Sequence, residues 1–345
     1  MKIVHITFGF KLGGLETMLV NIANEQVKSN NVSLLLINDL VDEALLAKLS
    51  PKIKVLNCRR TAKSRSLIPV IRLNAYLLRL HPDVIHVHAP KVVSLLMPFF
   101  MKKVVYTIHD VTIGKQYLKQ YKHSYSIAEC VRKDMLERTG IDAPVVYNGI
   151  KVDSIKTKSK YMVGNPFRIV QISRLDHKKK GQDILIKAID LIHKRGGADI
   201  SLDIIGEGDS YDFLQELIHS LNLDNIVNLC GAREYSWIQE HVRDYDLLVQ
   251  PSVFEGFGLT VAEGMAAKIP VLVSDIDGPM EIIDNGKYGY WFKKGDIEDC
   301  ANMIYKVMNT DNADLVQKAW QHVNENFSIA RTANSYIEKY RELLK

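Results

Sequence analysis

Two glutamates lie eight residues apart in a glycine-containing segment of the second half of the chain. The segment reads EGFGLTVAE over residues 255–263 and follows an apolar run that predicts a strand. The next helix begins inside the segment, so the free N–H groups of its first turn point at the loop that carries Glu255. A carboxylate, two glycines and a helix N-terminus in one small volume suit a ligand that carries both hydroxyls and phosphate. The alternative is that the carboxylates only stabilise the start of the helix.

A basic loop precedes this segment and follows another apolar run. Its sequence is SRLDHKKKG over residues 173–181. Arginine binds phosphate in a bidentate manner and lysine adds a compact positive charge, so this loop suits a diphosphate. Arg174 and Lys180 lie next to regular elements and are the candidates for function, whereas Lys178 and Lys179 are typical surface charges.

The first half of the chain offers a glycine pair and several histidines. Gly13 and Gly14 stand where a strand gives way to a helix, and they allow a ligand to approach the backbone. The pair is not the three-glycine dinucleotide fingerprint, and turn chemistry alone is the competing explanation. His109 follows an apolar run. His86 and His88 lie inside one, where a structural role is the favoured interpretation.

Short apolar runs alternate with helical periodicity through most of the chain. This alternation is typical of parallel sheets that are covered by helices on both faces. We expect an α/β protein with two doubly wound domains, because a length of 345 residues predicts about two domains. Ligands of such sheets bind beyond the carboxyl ends of the strands. The chemistry is therefore expected in the loops at residues 8–14, 173–181, 206–209, 252–258 and 275–281.

Composition favours a cytoplasmic protein without a structural metal. The chain is 47% hydrophobic and 25% charged, and its four cysteines form no metal-ligand pattern. We find no secretory signal, and the longest apolar run, Val92–Met101, is too short to span a bilayer.

The two halves of the chain differ in charge. Residues 1–155 hold 22 basic and 12 acidic side chains, against 23 and 28 in the remainder. This asymmetry suggests that the first half faces an anionic partner, with solvated surface charge as the alternative.

With these motifs in view, the chain resembles the retaining glycosyltransferases of family 4, which have the GT-B fold. Residues 255–263 match the EX7E motif of that family, and residues 173–181 match its GRLxxxKG segment with serine for the first glycine and one extra residue. Gly13 and Gly14 match its amino-terminal glycine loop. The YNGI run at residues 147–150 and the GPME run at 278–281 are similar to two further family segments.

The resemblance implies two facing Rossmann-like domains. The acceptor-binding domain would span residues 1–155 and the sugar-nucleotide domain residues 167–327. A linker would occupy residues 156–166, and a C-terminal helix at 328–345 would return to the first domain.

The resemblance also implies roles for individual residues. Arg174 and Lys180 would neutralise the donor diphosphate, Glu255 would bind hydroxyls of the transferred sugar, and Glu263 would bind the ribose. His109 would lie over the sugar. The implied donor-binding set is Gly13, Gly14, Ser173, Gly206, Gly256, Phe257, Gly258, Leu259, Thr260 and Glu263.

No metal or other cofactor is expected. The strings Asp244-Tyr245-Asp246 and Asp275-Ile276-Asp277 resemble the cation-binding motif of another transferase fold, but so short a pattern is common by chance. Arg174 and Lys180 already supply the positive charge that a diphosphate needs.

The expected partners are a nucleoside-diphosphate sugar, with UDP preferred, and a glycan or lipid-linked acceptor of polysaccharide biosynthesis. Basic residues of the first half, Arg59, Arg60, Lys63 and Arg65, are candidates for the acceptor or for peripheral contact with an anionic inner membrane. For the run Val92–Met101, the alternative to membrane contact is a buried helix. No nucleic acid is expected. A sugar-nucleotide epimerase of the same fold and a non-catalytic sugar-nucleotide binder remain the alternative functions.

Overall fold

A computed structural model describes residues 1–11, 13–61, 64–109, 115–159, 161, 163–196 and 199–345 of the chain. The chain divides into two compact units. Unit 1 holds Met1–Gly149 together with Ile329–Lys345, and unit 2 holds Ile150–Ser328.

The elements of unit 1 alternate between strand and helix. Its strands are β1 (Lys2–Thr7), β2 (Asn31–Asn38), β3 (Lys54–Arg60), β4 (Val84–Val87), β5 (Val104–Ile108) and β6 (His123–Ser126). Its first helices are α1 (Gly14–Gln26), α2 (Glu43–Leu46), α3 (Ile68–Leu80), α4 (Lys115–Leu118) and α5 (Glu129–Thr139). Two 3-10 segments, Pro90–Leu95 and Pro98–Lys103, separate β4 from β5.

Unit 2 repeats the alternation. Its strands are β7 (Phe167–Ile172), β8 (Ile200–Ile205), β9 (Val227–Leu229), β10 (Leu247–Gln250), β11 (Val271–Ser274) and β12 (Tyr290–Phe292). Its helices are α6 (His177–Lys180), α7 (Gln182–Lys194), α8 (Tyr211–Ser220), α9 (Tyr235–His241), α10 (Leu259–Ala266), α11 (Asp277–Ile282), α12 (Ile297–Met308) and α13 (Ala313–Asn326). Shorter 3-10 turns lie at Val152–Ser154 and Val242–Asp244. The final helix, α14 (Ile329–Leu343), belongs to unit 1.

Each unit is built on one six-stranded parallel sheet. The strand order is β3-β2-β1-β4-β5-β6 in unit 1 and β12-β11-β10-β7-β8-β9 in unit 2. The order reverses between β1 and β4 in the first sheet and between β7 and β10 in the second. At such a reversal the following loops diverge to opposite faces and leave a crevice at the carboxyl edge, where ligands of this architecture bind.

The interior of unit 2 shows why its sequence forms these layers. Helix α7 buries Leu185, Ala188, Ile189 and Ile192, which recur at the helical period and form one apolar stripe. Burying one such aliphatic side chain stabilises the fold by roughly 1.5–3 kcal/mol. The stripe packs in one core with the apolar residues of β7, β8 and β10.

These findings confirm the predicted fold class, two doubly wound α/β units with a C-terminal helix that returns to the first. The divisions lie at Gly149 and Ser328. The segment predicted as a linker, residues 156–166, lies within unit 2, where Lys158 pairs with Asp246 at 2.7 Å.

Some elements differ from the sequence-based expectations. Strands β6 and β12 were not predicted, because His123–Ser126 is polar and Tyr290–Phe292 has only three residues. The run Val92–Met101 forms no single helix, since it is shared between two 3-10 segments that each begin with a proline. None of the helices in the described part of the chain has the length and apolar composition needed to cross a bilayer.

Candidate active site

The loops that follow β7 and β10 meet at the carboxyl edge of the unit 2 sheet, where its strand order reverses. Lys180 comes from the first loop and Glu255 from the second, and their Nζ and Oε2 atoms lie 2.5 Å apart. Both side chains are 18% exposed. The structure therefore joins one of the predicted basic residues to one of the predicted glutamates in a largely buried ion pair.

Backbone contacts bring these two loops together. The N–H groups of Val253 and Phe254 both donate to the carbonyl of Lys179, at 2.9 and 3.2 Å. Gly181 adopts a φ of +66°, and a Cβ atom at this position would lie 2.0 Å from the carbonyl oxygen of Pro251. Only glycine fits there without displacing backbone, so the residue after Lys180 sets how closely Lys180 approaches Glu255.

Buried glutamines support the two loops from below. Gln171 donates to the carbonyl of Lys180 at 3.0 Å, and Gln182 donates to the carbonyl of Arg174 at 2.8 Å. Gln250 donates to Ser252 at 2.8 Å and to Glu255 at 3.3 Å. The side-chain N–H groups of these amides thus hold the loop backbones, while the Oε1 atoms of Gln171 and Gln182 are buried without a hydrogen-bond partner among the described residues.

Arg174 lies at the start of the same loop and is open to solvent. Its side chain is 69% exposed and makes a 3.4 Å contact with the exposed Asp209. Surface ion pairs of this kind contribute little free energy, so the guanidinium is readily exchanged onto another anion. Gly206 holds the neighbouring loop against Ser173, since a Cβ atom at Gly206 would lie 1.9 Å from the Ser173 carbonyl oxygen.

Glu263 lies on α10 and is buried, with 6% exposure. Burial raises the pKa of its carboxyl from 4.5 to about 7, and a hydrogen bond with Tyr235 opposes part of that rise. Burial and the neighbouring Glu263 together raise the pKa of the Tyr235 hydroxyl. The carboxyl therefore changes charge near neutral pH and responds to any ligand that donates a hydrogen bond to it.

The remaining predicted donor residues of unit 2 form the loop that leads into α10. Gly258 caps the helix with a φ of +101°, and Thr260 donates to the side-chain carbonyl of Gln250 at 3.2 Å. A Cβ atom placed on Gly278 would lie only 2.9 Å from backbone atoms of residues 255–257. Phe257 is buried, Leu259 is half-buried, and Gly256 lies between Glu255 and Phe257 in the same loop.

In unit 1, the glycine pair begins helix α1, next to the strand-order reversal between β1 and β4. Gly13 is the N-cap with an extended φ of −169°. No described atom lies within 4 Å of a Cβ placed on Gly14. The described protein atoms therefore leave room for a larger residue at position 14, whereas they leave none at Gly181 and Gly206.

Four histidines form a cluster in unit 1. His5 on β1 is the register partner of His86 on β4, and both are fully buried. His88 and His109 follow β4 and β5 and lie 3.2 Å apart through Nδ1 and Nε2. Burial lowers the pKa of His5 and of His109 to about 4 and lowers that of His86 and His88 well below 6.5, so all four are neutral at pH 7.

Ligand atoms of His5, His86 and His88 all lie within 4.8 Å of one another, which is a spacing that a metal ion can use. Every one of their six ring nitrogens is nevertheless in hydrogen-bond contact with another side chain. Each of the two Asp-x-Asp strings also has an aspartate with a partner. Asp246 pairs with Lys158, and Asp275 accepts from the N–H of Lys294 at 2.6 Å.

The predicted basic residues of unit 1 lie at the end of strand β3 and in the segment after it. Arg59 is exposed and has a φ of +57°, while Arg60 donates to the carbonyl of Ser64 at 2.9 Å. Arg65 is exposed, and Lys63 lies outside the described residues.

Sequence reasoning missed five polar residues that organise these sites. They are His5, Gln171, Gln182, Gln250 and Tyr235. Three of them interrupt otherwise apolar strands, and a buried polar side chain in such a strand is an informative exception that the sequence already contained. Gln182 and Tyr235 carried no comparable signal, because a polar residue at a helix start is ordinary.

Two family models match adjoining parts of the chain. The model described as "Glycosyl transferases group 1" matches residues 154–322, and the model described as "Glycosyltransferase Family 4" matches residues 12–154. Together they cover both units.

Curated relatives are glycosyltransferases of several kinds. The poly(ribitol-phosphate) alpha-N-acetylglucosaminyltransferase of Staphylococcus aureus (strain COL) is 29% identical over 223 residues, covering 63% of this chain and 42% of that protein. The phosphatidyl-myo-inositol mannosyltransferase of Mycobacterium leprae is 25% identical over 247 residues, covering 66% of this chain and 65% of that protein. The matched region thus spans less than two thirds of the length of either relative.

Solved structures share the fold over nearly the whole chain. Anabaena HepE, crystallised in complex with UDP, superposes with a TM-score of 0.81 at 20% identity and covers 99% of this chain and 100% of that one. S. aureus TarM superposes with a TM-score of 0.77 at 17% identity, covering 100% and 99%, in a complex with fondaparinux, alpha-GlcNAc-glycerol and UDP. From the two family models and this fold, the chain belongs to the group 1, family 4 glycosyltransferases of the GT-B fold.

Proposed function

We propose that the protein transfers a sugar from a nucleoside-diphosphate sugar to a glycan or lipid-linked acceptor, with retention of the anomeric configuration. The observation that carries the proposal is the Lys180–Glu255 pair at the strand-order reversal of unit 2. It puts a cation for phosphate beside an anion for hydroxyls, in the place where ligands of this architecture bind. The curated relatives are glycosyltransferases, which supports the same activity.

The pair also suggests how donor binding proceeds. Without donor, Lys180 and Glu255 neutralise each other in a largely buried setting. A diphosphate carries more charge than one carboxylate, so it draws the Lys180 ammonium away and leaves Glu255 free to accept hydrogen bonds from sugar hydroxyls. Arg174, held only by a weak surface contact, joins Lys180 on the phosphates.

Catalysis then follows from fixed positive charge. Negative charge grows on the diphosphate as the glycosidic bond breaks, and donors aimed at that charge stabilise the transition state more than the ground state. We propose that no metal is needed, because Lys180, Arg174 and the N–H groups at the start of α10 supply this stabilisation. Glu263 is assigned to the ribose, and UDP is the preferred nucleotide, in keeping with the UDP complexes of the structural neighbours.

For unit 1, we propose contact with an anionic membrane surface through helix α3 and its surroundings. This helix exposes Ile68, Ile71, Arg72, Leu78 and Arg79, which the helical period places on one face. A face that mixes apolar and basic side chains is typical of helices that lie in the headgroup region. Residues 51–109 hold eleven basic side chains and one acidic side chain, Asp83, so anionic lipids are favoured.

A neighbouring segment extends this apolar surface. The buried Asn74 of α3 donates to the carbonyl of Leu95 at 2.8 Å and accepts from the N–H of Met97 at 2.9 Å. Met97 and Phe99 are 42% and 57% exposed. A lipid-linked acceptor presented at this membrane surface accounts for both the charge and the exposed apolar groups.

The test is a turnover assay with labelled UDP-sugars and GDP-mannose, with and without lipid-linked acceptor. Transfer or slow hydrolysis supports the proposal, a changed sugar on the nucleotide indicates an epimerase, and binding without turnover indicates a binding protein. Activity abolished by EDTA and restored by Mg²⁺ would contradict metal independence.

A further inference from the structure

The histidine cluster of unit 1 contains a continuous chain of hydrogen-bonded rings. The Gln26 Oε1 atom lies 2.8 Å from His5 Nε2, His5 Nδ1 lies 3.0 Å from His88 Nε2, and His88 Nδ1 lies 3.2 Å from His109 Nε2. His5 and His88 each use one nitrogen toward the preceding residue and the other toward the next, and His109 ends the chain. Gln26, His5 and His88 are all less than 5% exposed, so water does not compete for the first two bonds, and the bond to His109 is partly buried.

The rings are neutral, which limits each of them to one N–H group. Protonation of one ring would bring positive charge into a fully buried site, with neighbouring ring centroids only 4.2–5.3 Å away. A neutral imidazole that donates from one nitrogen must accept at the other. The direction of the first bond therefore decides the direction of all that follow.

We propose that Gln26 is a positioning residue that sets the tautomer of His109 through His5 and His88. The side-chain carbonyl of Gln26 only accepts, so His5 carries its hydrogen on Nε2 and accepts at Nδ1. His88 then donates from Nε2 and accepts at Nδ1, and His109 donates from Nε2. Nδ1 of His109 is left as a hydrogen-bond acceptor.

This assignment gives His109 a defined chemical preference. A ring nitrogen with a free lone pair accepts from a hydroxyl donor, whereas the opposite tautomer would present an N–H group there. The functional part of the inference rests on the proposed function and on the role that the family resemblance implies for His109, which is contact with the transferred sugar. The Nδ1 atom would then recognise one sugar hydroxyl as a donor.

The other hydrogen bonds of the cluster form a branch through His86, which meets the chain at Gln26 because the Gln26 side chain also interacts with the Tyr340 hydroxyl. His86 Nε2 contacts the Thr107 hydroxyl at 2.7 Å, and His86 Nδ1 contacts the Tyr340 hydroxyl at 2.5 Å. Hydroxyl groups both donate and accept, so this branch imposes no direction on His86. Thr107 therefore offers a matched control: a buried polar residue in the same cluster whose loss leaves the chain from Gln26 to His109 intact.

The experiment compares Gln26→Met with Thr107→Val by two-bond ¹H–¹⁵N correlation spectra of ¹⁵N-histidine-labelled protein, which distinguish the two tautomers directly. In the wild type, His5, His88 and His109 should each show the Nε2–H form. Gln26→Met removes the acceptor for His5 Nε2–H, so His109 should lose its single tautomer, while Thr107→Val should leave His109 unchanged.

A wild-type His109 in the Nδ1–H form would overturn the proposal, even if Gln26→Met fails to fold. Equal spectra of His109 in the wild type and Gln26→Met would do the same.

Measuring turnover distinguishes a failure of this inference from a failure of the proposed function. If His109 contacts the sugar, Gln26→Met should lower kcat roughly 2- to 10-fold, the equivalent of one hydrogen bond, with little change in the affinity for free UDP. A changed tautomer with unchanged kcat would support the assignment of Gln26 and remove His109 from the reaction.

Discussion

Lys180 and Glu255 approach to 2.5 Å although 75 residues separate them in the chain. A proline carbonyl, a glycine with positive φ and a buried glutamine all act to hold this one contact. The ion pair is largely buried, so its two charges depend on each other and on whatever ligand takes the place of one of them.

Lys180→Ala should reduce kcat/KM by roughly 10²- to 10³-fold, the cost of removing one donor aimed at developing charge. Lys178→Ala is the matched control, because Lys178 belongs to the same short helix and is exposed. The measurement is steady-state kinetics for both variants, with thermal unfolding to verify that they are folded. Equal activity in the two variants would remove Lys180 from the donor site.

Nucleotide binding should release a proton from Glu263. Its carboxyl has a pKa of about 7 in the free protein, so it is about half protonated at pH 7. A ribose hydroxyl that donates to the carboxylate favours the ionised form, and binding of a UDP-sugar should therefore release about half a proton at pH 7 and more at pH 6. Calorimetry in two buffers of different ionisation enthalpy measures this number, and Glu263→Gln should show no such release. A wild type that releases no more protons than Glu263→Gln would contradict the ribose assignment.

The carboxyl of Glu263 should also make the free energy of unfolding depend on pH. Between pH 4.5 and 7 the folded state binds more protons at Glu263 than the unfolded state does, so the free energy of unfolding falls as pH rises through this range. The full shift corresponds to roughly 3 kcal/mol. Glu263→Gln should flatten this part of the profile, as measured by denaturant unfolding at a series of pH values.

Gly14→Ala and Gly206→Ala should separate substrate contact from folding. Alanine at Gly14 meets no described atom and replaces glycine in a helix, so stability should stay the same or rise by up to roughly 1 kcal/mol. If the backbone at Gly14 approaches the substrate, activity should still fall. Alanine at Gly206 would place Cβ 1.9 Å from a backbone oxygen, and the protein should lose stability together with activity. Thermal unfolding beside initial rates gives both readouts, and full activity in a stable Gly14→Ala would end the case for this glycine.

Ile71→Glu should weaken binding to vesicles of phosphatidylcholine and phosphatidylglycerol. Ile71 is 65% exposed on α3, and loss of one buried aliphatic contact corresponds to roughly 10- to 100-fold in partition. Leu136→Glu is the control, because Leu136 is 49% exposed on α5, away from the basic residues of α3 and its loop. Sedimentation with vesicles, at low and high salt, measures the difference. Similar binding by both variants would place the membrane contact elsewhere.

The repetition of strand and helix, and most helix positions, could be predicted because buried parallel strands are continuous apolar runs and helices have a clear period. Helix α7 is an example, since Ile184 and Leu185 and their successors recur at the helical spacing. The residues of the candidate site could be proposed from the sequence for a different reason. Arg174, Lys180 and Glu255 are charged residues in the segments that follow β7 and β10, and Lys180, Glu255 and Glu263 each precede a glycine. That combination is visible in a single sequence.

Other features depend on distant parts of the chain and could not be predicted. His5 and His86 are 81 positions apart and become neighbours only through the register of β1 and β4. The Lys180–Glu255 contact and the elevated pKa of Glu263 depend on burial, which the local sequence does not encode. Considered in the sequence alone, a histidine in a strand indicates an isolated structural residue. In the fold, the hydrogen-bond partners of its ring determine its chemistry.

Helix α14 has a consequence for the order of events during biosynthesis. Its Tyr336 and Tyr340 hydroxyls complete the polar contacts of Thr107 and His86 inside unit 1, yet the ribosome makes this helix only after the whole of unit 2. At about 5–20 residues per second, the intervening 150–328 segment takes roughly 10–40 s to synthesise. A nascent unit 1 must wait that long with the His86–Thr107 contact in place but without the tyrosine partners of these two residues. Its stable form is thus reached after translation has passed Tyr340, and chaperones have a defined interval in which to engage the incomplete sheet.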